Sequence, residues 1–255
     1  MKILFLLLIT LNIYSQGLIR RYYNQYDLIR NIKKDGYEPN INLTFNIRFI
    51  YLGEKPTKLT SDKILLIKNR LDNAFGMTKI RFTYDSRIYS YRTTMTIDSC
   101  NKYGCRLIDR ATYNRKDINF YIVENDGNIY NGLSTYPSSD INRLFIHIDH
   151  LNDGTMEHEM GHYFGLLHTF DRTIRVSEYN SEEEGDMVSD TKTDKEGLEY
   201  TSGCKLVEKV KDSRGVMFDV DLSNYMSYYG ICRNRFTSGQ IKLMNKIAKY
   251  RKQFI

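Results

Sequence analysis

Apolar and polar positions alternate most regularly just after residue 40. Leu43, Phe45, Ile47 and Phe49 interleave with Asn42, Thr44, Asn46 and Arg48, the two-residue period of a strand with unlike faces. Pro56 and Thr60-Ser61-Asp62 then mark a loop and a helix cap. Ile64, Leu65, Ile67, Leu71 and Phe75 recur at helical spacing up to Gly76. Short strands are expected at 80–84, 89–97 and 119–123, and a buried one at 144–148. Gly132 to Pro137 reads as a sheet edge, because proline cannot donate to a central ladder. A helix is expected over 155–167. A loop-rich acidic stretch follows over 171–220, with Asp186, Asp190 and Asp194. The last helix, Ser238 to Lys252, sets Ile241, Met244, Ile247 and Ala248 on one face and leaves its Lys and Arg residues to solvent. These elements predict an α/β fold with regular structure starting near Ile41.

Composition changes this picture only at the ends. The 255 residues are 41% hydrophobic and 27% charged, a globular composition. The formal charge of +6 is spread along the chain with no organised basic face, so nucleic acid is not an expected partner. Lys2 precedes a short apolar run to Ile13, then Tyr14-Ser15-Gln16. That is the plan of a secretory signal peptide over 1–15, too short to be a membrane anchor. Residues 16–40 then form a leader or short pro-segment, with Asp27 and Asp35 its aspartates. Four cysteines in an exported chain suggest two disulfides. Cys100 and Cys105 enclose a short turn suited to a local bridge, leaving Cys204 and Cys232 to staple the C-terminal region. A zinc–thiolate cluster is the weaker alternative, since no CxxC pair occurs.

The chemistry concentrates at 158–168, His-Glu-Met-Gly-His-Tyr-Phe-Gly-Leu-Leu-His. His158 and His162 fall on one helix face, one turn apart, as two metal ligands require. Gly165 permits a sharp break, after which His168 can supply a third imidazole. Three neutral imidazoles suit one catalytic Zn2+ with a fourth position open. Glu159, beside the first ligand, is placed to act as general base and acid on water. A lone histidine is more often structural, but five fixed positions should coincide in only about one chain in 10⁵ from average usage. His147 and His150 read as structural.

The spacing with Gly165 and His168 resembles that of metzincin peptidases, and Ser223-Asn224-Tyr225-Met226-Ser227-Tyr228-Tyr229 resembles their Met-turn. Finer detail is similar to the pappalysin family, bacterial members in particular: Gly-Leu-Leu-His-Thr-Phe ending at Phe170, Gly185 to Thr191, and Cys232 followed by Phe236-Thr237-Ser238-Gly239-Gln240. The resemblance implies a secreted, monomeric zinc endopeptidase acting on proteins or peptides, over 41–255. It implies a twisted mixed sheet with an active-site helix and a backing helix in an upper part (41–165), and an irregular lower part (166–255) ending in a helix. It gives Met226 the floor of the metal site, Tyr228 a place near the metal, Gly132, Leu133, Ser134 and Thr135 the substrate-side strand, and Cys204 with Cys232 a disulfide. Family members often bind Ca2+, for which Asp186, Asp190 and Asp194 are candidates, although a solvated acidic loop is the simpler reading. Relatives that cleave before basic residues carry an acid just after the Met-turn; Tyr229-Gly230-Ile231 has none, so no such preference is inferred. Two other classes remain open at this point: a non-proteolytic binding module on the same fold, and a zinc hydrolase of a non-peptide substrate.

Overall fold

The computed structural model describes residues 25–34, 38–103, 105–125, 130–139, 141–171, 179–181, 184–201, 203–207, 210–212 and 214–253. The expected signal peptide and Asp35 lie outside them. A five-stranded sheet holds β1 (Leu43–Leu52), β2 (Ile80–Tyr91), β3 (Ile118–Val123), β4 (Gly132–Ser134) and β5 (Arg143–His147) in the order β2-β1-β3-β5-β4. All neighbours run parallel except β4, which pairs antiparallel with β5 at the edge. The helices are α1 (Gln25–Lys34), α2 (Ser61–Ala74), α3 (Ile97–Tyr103), α4 (Arg106–Thr112), α5 (Thr155–Tyr163) and α6 (Ser238–Lys252).

Strand alternation divides the core in two. Phe45, Ile47, Phe49, Phe120, Ile122, Leu144 and Ile146 share one cluster with buried residues of α1, α2, α5 and α6. Ile50, Leu52, Tyr121, Val123 and Phe145 point the other way, onto α3 and α4. Both faces are covered, as a largely parallel sheet requires. A third, smaller cluster (Leu198, Val220, Tyr229 and Cys232) fills the C-terminal part. Thr60 caps α2 by accepting from Lys63 N, and Thr237 with Gln240 forms a capping box on α6.

Four expectations change. Regular structure begins at Gln25, because Leu28 and Ile29 of α1 are buried and α1 packs on α6. Strands 80–84 and 89–97 are one strand, β2: Asp85, Ser86 and Arg87 are absorbed where its register against β1 shifts, and Ile97 already opens α3. The helix expected to reach residue 167 ends at Tyr163. The acidic stretch is not uniformly solvated, since Asp186 and Asp194 are buried. Asp186 accepts from Asn180, Val188 N and Gln240, and Asp194 from Thr169 and Tyr229. Asp190 caps α6 through Thr237 and Gly239 N. The disulfides are Cys100–Cys105 and Cys204–Cys232.

Candidate active site

Helix α5 lies between β4 and β5 on one side and α2 on the other, and every one of its residues is buried. Gly154, in left-handed backbone (φ 89°), opens it, and Asp153 Oδ1 accepts from Thr155 N. At its end Leu166 N donates to Gly161 O and Gly165 N to His162 O, with Gly165 left-handed at φ 89°. This is a Schellman motif, which needs glycine at the left-handed position. It reverses the chain in so few residues that His168 returns to the face carrying His158 and His162.

The three imidazoles converge. His162 Nε2 lies 3.0 Å from His158 Nε2 and 3.0 Å from His168 Nε2, and one ligand atom from each falls within 4.8 Å of the others. Their remote nitrogens are fixed separately. His158 Nδ1 meets Tyr225 O at 2.7 Å, His162 Nδ1 meets Leu166 O at 2.8 Å, and His168 Nδ1 meets Asp171 Oδ1 at 3.2 Å. Carbonyl and carboxylate oxygens only accept, so each Nδ1 carries the proton and each Nε2 presents a lone pair. Burial and the neighbouring imidazoles hold His158 well below the usual histidine range and His162 down at about 3. Three neutral imidazoles with lone pairs crowded this closely repel one another unless a cation lies between them, so the donor set fits a divalent metal.

Glu159 lines the same cavity, of about 720 Å³, together with Gly132, Ser134, Tyr136, Tyr200 and Tyr228. Burial raises its carboxyl to about 8, opposed in part by the Arg233 guanidinium. The strand passes close above it: a Cβ on Gly132 would lie 2.8 Å from Glu159 Oε1. Tyr228 Oη is 3.0 Å from His168 Nε2 on a side chain 52% exposed; burial, then the Glu159 charge, raises its phenol to about 12. Met226 is fully buried beneath α5, and its Sδ would lie 2.5 Å from a Cβ on Gly161.

The edge strand is presented as its alternation predicts. Asn131 O and Thr135 N bond β5 at His147 N and Arg143 O, which leaves the peptide groups of Gly132 and Ser134 on the open side. Thr135 departs from expectation. It does not line the cavity; its hydroxyl bonds Ile141 O and Arg143 O. The cysteines also sit away from the cavity lining. His147 contacts Glu124 O, and His150 pairs with Asp153.

Three residues near the centre were not anticipated. Asp171 accepts from both the ring and the backbone N of His168. Burial would raise its carboxyl, but those bonds outweigh burial and hold it below the usual carboxylate range. Its position three residues after the third histidine was the available signal. Tyr136 Oη lies 3.1 Å from His162 Nδ1. Arg233 bonds Ser227 O, Gly230 O, Asp153 O and Thr155 Oγ1, tying the Met226 turn to the start of α5. Nothing local in the sequence marks the last two.

Among known proteins, the family model described as pregnancy-associated plasma protein-A, peptidase family M43, matches residues 103–249. An extracellular metalloprotease of Neurospora crassa is 28% identical over 220 residues, covering 79% of this chain and 72% of that protein. One of Sordaria macrospora is 27% identical over 225 residues with the same coverage. Both are fungal, so they give no support to a bacterial origin. The solved metalloproteinase-II from Bacteroides fragilis is a weak likeness, with TM-score 0.33 and 12% identity, covering 57% of this chain and 52% of that one. With more than half of its length matched by the family model and a histidine triad that could hold a metal ion beside a glutamate, this chain belongs to the pregnancy-associated plasma protein-A family of metallopeptidases.

Proposed function

We propose that this chain is a secreted zinc endopeptidase, with His158, His162 and His168 holding one Zn2+ and Glu159 the general base and acid. The observation that carries the reading is the convergence of three imidazole Nε2 atoms on the cavity that Glu159 lines. Zinc bound there supplies Lewis-acid chemistry, acidifying water and polarising a carbonyl. An extended peptide adds to the open edge of β4 by pairing with Gly132 and Ser134, which lays its backbone over Glu159. Glu159 accepts a proton from water as the oxygen attacks the scissile carbonyl, then delivers it to the amine as the C–N bond breaks. Tyr228 Oη donates a hydrogen bond to the developing oxyanion. Met226 supports α5 from below, with Gly161 leaving room for its sulfur.

Export is supported by the extracellular naming of both fungal relatives, and no described helix is long and apolar enough to cross a membrane. The catalytic unit takes in the upper part, 41–165, and the lower part, 166–255, with α1 added as a piece of the upper core. A non-proteolytic role has no observation in its favour, since every motif residue is in place. The test is digestion of a denatured protein by zinc-loaded chain and by Glu159→Gln. The wild type cleaves, and the variant binds zinc and does not. Cleavage retained by Glu159→Gln overturns the assignment.

A further inference from the structure

The residue pattern of the last helix puts its basic side chains in solvent. Arg251 is the exception, at 2% exposed. Its guanidinium spans three separate pieces of the molecule. Nε donates to Tyr163 O at 2.6 Å, Nη1 to Asn142 Oδ1 at 2.9 Å and Nη2 to Thr135 O at 2.6 Å. The guanidinium carbon also lies 3.6 Å from the centre of the Tyr163 ring. All three acceptors are neutral, and among the described residues no carboxylate pairs with it. A buried charge satisfied only by carbonyls is costly to place, so a core built for stability alone would more readily use an apolar side chain.

The acceptors identify what the charge does. Tyr163 ends α5, and its carbonyl is one of those a helix leaves without an internal partner. A cation at that end also complements the helix dipole. Thr135 follows directly on β4, and its N–H is the last ladder bond to β5. Arg251 therefore takes the next carbonyl along, extending the ladder by one acceptor. Asn142 joins the two, since its Oδ1 also accepts from Tyr163 Oη. One planar fork thus fixes the end of the edge strand against the end of the helix that carries His158, Glu159 and His162.

We infer that Arg251 is a positioning residue that sets the spacing between the β4 edge and α5, and thereby governs affinity for an extended peptide rather than the chemical step. This rests on the peptidase reading with strand addition at β4. Arg251 touches neither the metal ligands nor the cavity lining, so its effect has to travel through Thr135 and Tyr163.

The experiment uses the zinc-loaded full chain with Arg251→Met and Arg251→Lys. One substrate is a peptide long enough to pair with residues 132–134, and the other spans only the scissile bond. For Arg251→Met, KM on the long peptide should rise about tenfold with kcat within about twofold, the pattern of weakened uniform binding when the edge strand that the peptide pairs with is no longer held in place. The short substrate and the zinc stoichiometry should be unchanged. Arg251→Lys keeps the charge but not the fork, and should fall between Met and wild type. Hydrogen exchange supplies a readout independent of activity: in both variants the Thr135 amide should exchange faster, with the amides of His158 to His162 unchanged. If Arg251→Met does not fold, Arg251→Lys carries both tests. The inference is overturned if Thr135 protection and KM are unaltered, or if kcat, zinc and both substrates decline together. A wild type that cleaves neither substrate overturns the peptidase reading alone, because the exchange measurement still tests the placement of Thr135.

Discussion

Gly132→Ala separates a geometric requirement of the site from ordinary stability. The added Cβ would lie 2.6 Å from Glu159 Cγ, 2.8 Å from Glu159 Oε1 and 2.9 Å from Thr155 Cγ2. Carbon atoms rest about 3.5–4.0 Å apart, so β4 and the Glu159 side chain must separate by about 1 Å. Gly132 is not among the residues with positive φ, so alanine brings no backbone strain. Overpacking costs about 1–3 kcal/mol, and the lower entropy of the unfolded chain returns about 0.4–1 kcal/mol, which leaves a fall in melting temperature of at most about 10 °C. A displacement of about 1 Å at a reacting group is worth about a hundredfold in rate, or about 2.7 kcal/mol. The assay is kcat/KM on a peptide substrate, with zinc content and melting temperature measured on the same samples. Gly203→Ala is the control, since its Cβ would meet only Thr201 Oγ1, at 3.7 Å. A fall of about a hundredfold with zinc retained is expected; a Gly132→Ala enzyme as active as Gly203→Ala would refute the close approach of β4 to Glu159.

Other consequences follow from the same geometry. Asp171→Asn should weaken zinc about 10–100-fold by chelator competition, because it removes the carboxylate that orients the His168 ring; unchanged affinity would remove Asp171 from the metal centre. Gly165→Ala should lose zinc as well as stability, since φ is 89° and the Cβ would lie 2.2 Å from Ile247 Cδ1, and a variant with normal zinc affinity would show that the turn does not deliver His168. Burial lifts the Asp186 carboxyl to about 7, against the hydrogen bonds from Asn180 and Gln240 that lower it. A folded pKa above the unfolded one gives stability that is full below the unfolded value and lost as pH rises through about 7. The melting temperature of Asp186→Asn should therefore gain on that of wild type between pH 5 and pH 8, and a variant that falls further behind wild type as pH rises would contradict this.

The metal site was legible in the sequence because its geometry is local. His158 and His162 need only helical spacing, and Gly165 only its freedom at positive φ, to carry His168 round. The same holds for the first part of β1, where the alternation of residues 43–49 matches alternating burial; Ile50 to Leu52 are then buried without alternation. What escaped depends on contacts across the chain. Helix α1 is only ten residues long and carries its few aliphatic residues among polar ones, so its place in the core depends on distant partners: Ile29 is fully buried and Gln25 Nε2 bonds Gly165 O. Asp85-Ser86-Arg87 looks like a turn between strands, but β1 can pair past it, and the excess residues become a bulge. Arg251 falls three residues after Ala248 and four after Ile247, on the buried face of its helix, but as an arginine it reads as a solvated charge. Only the arrival of Tyr163 O, Asn142 and Thr135 O from three other elements supplies acceptors for it there.

The central claim concerns what these histidines hold, and X-ray absorption at the zinc edge of the loaded protein reads that directly. The account predicts one zinc per chain with three imidazole nitrogens at about 2.0–2.1 Å and one oxygen, and two imidazoles in His168→Ala. Sulfur in the first shell, or fewer than three imidazoles in the wild type, would contradict it.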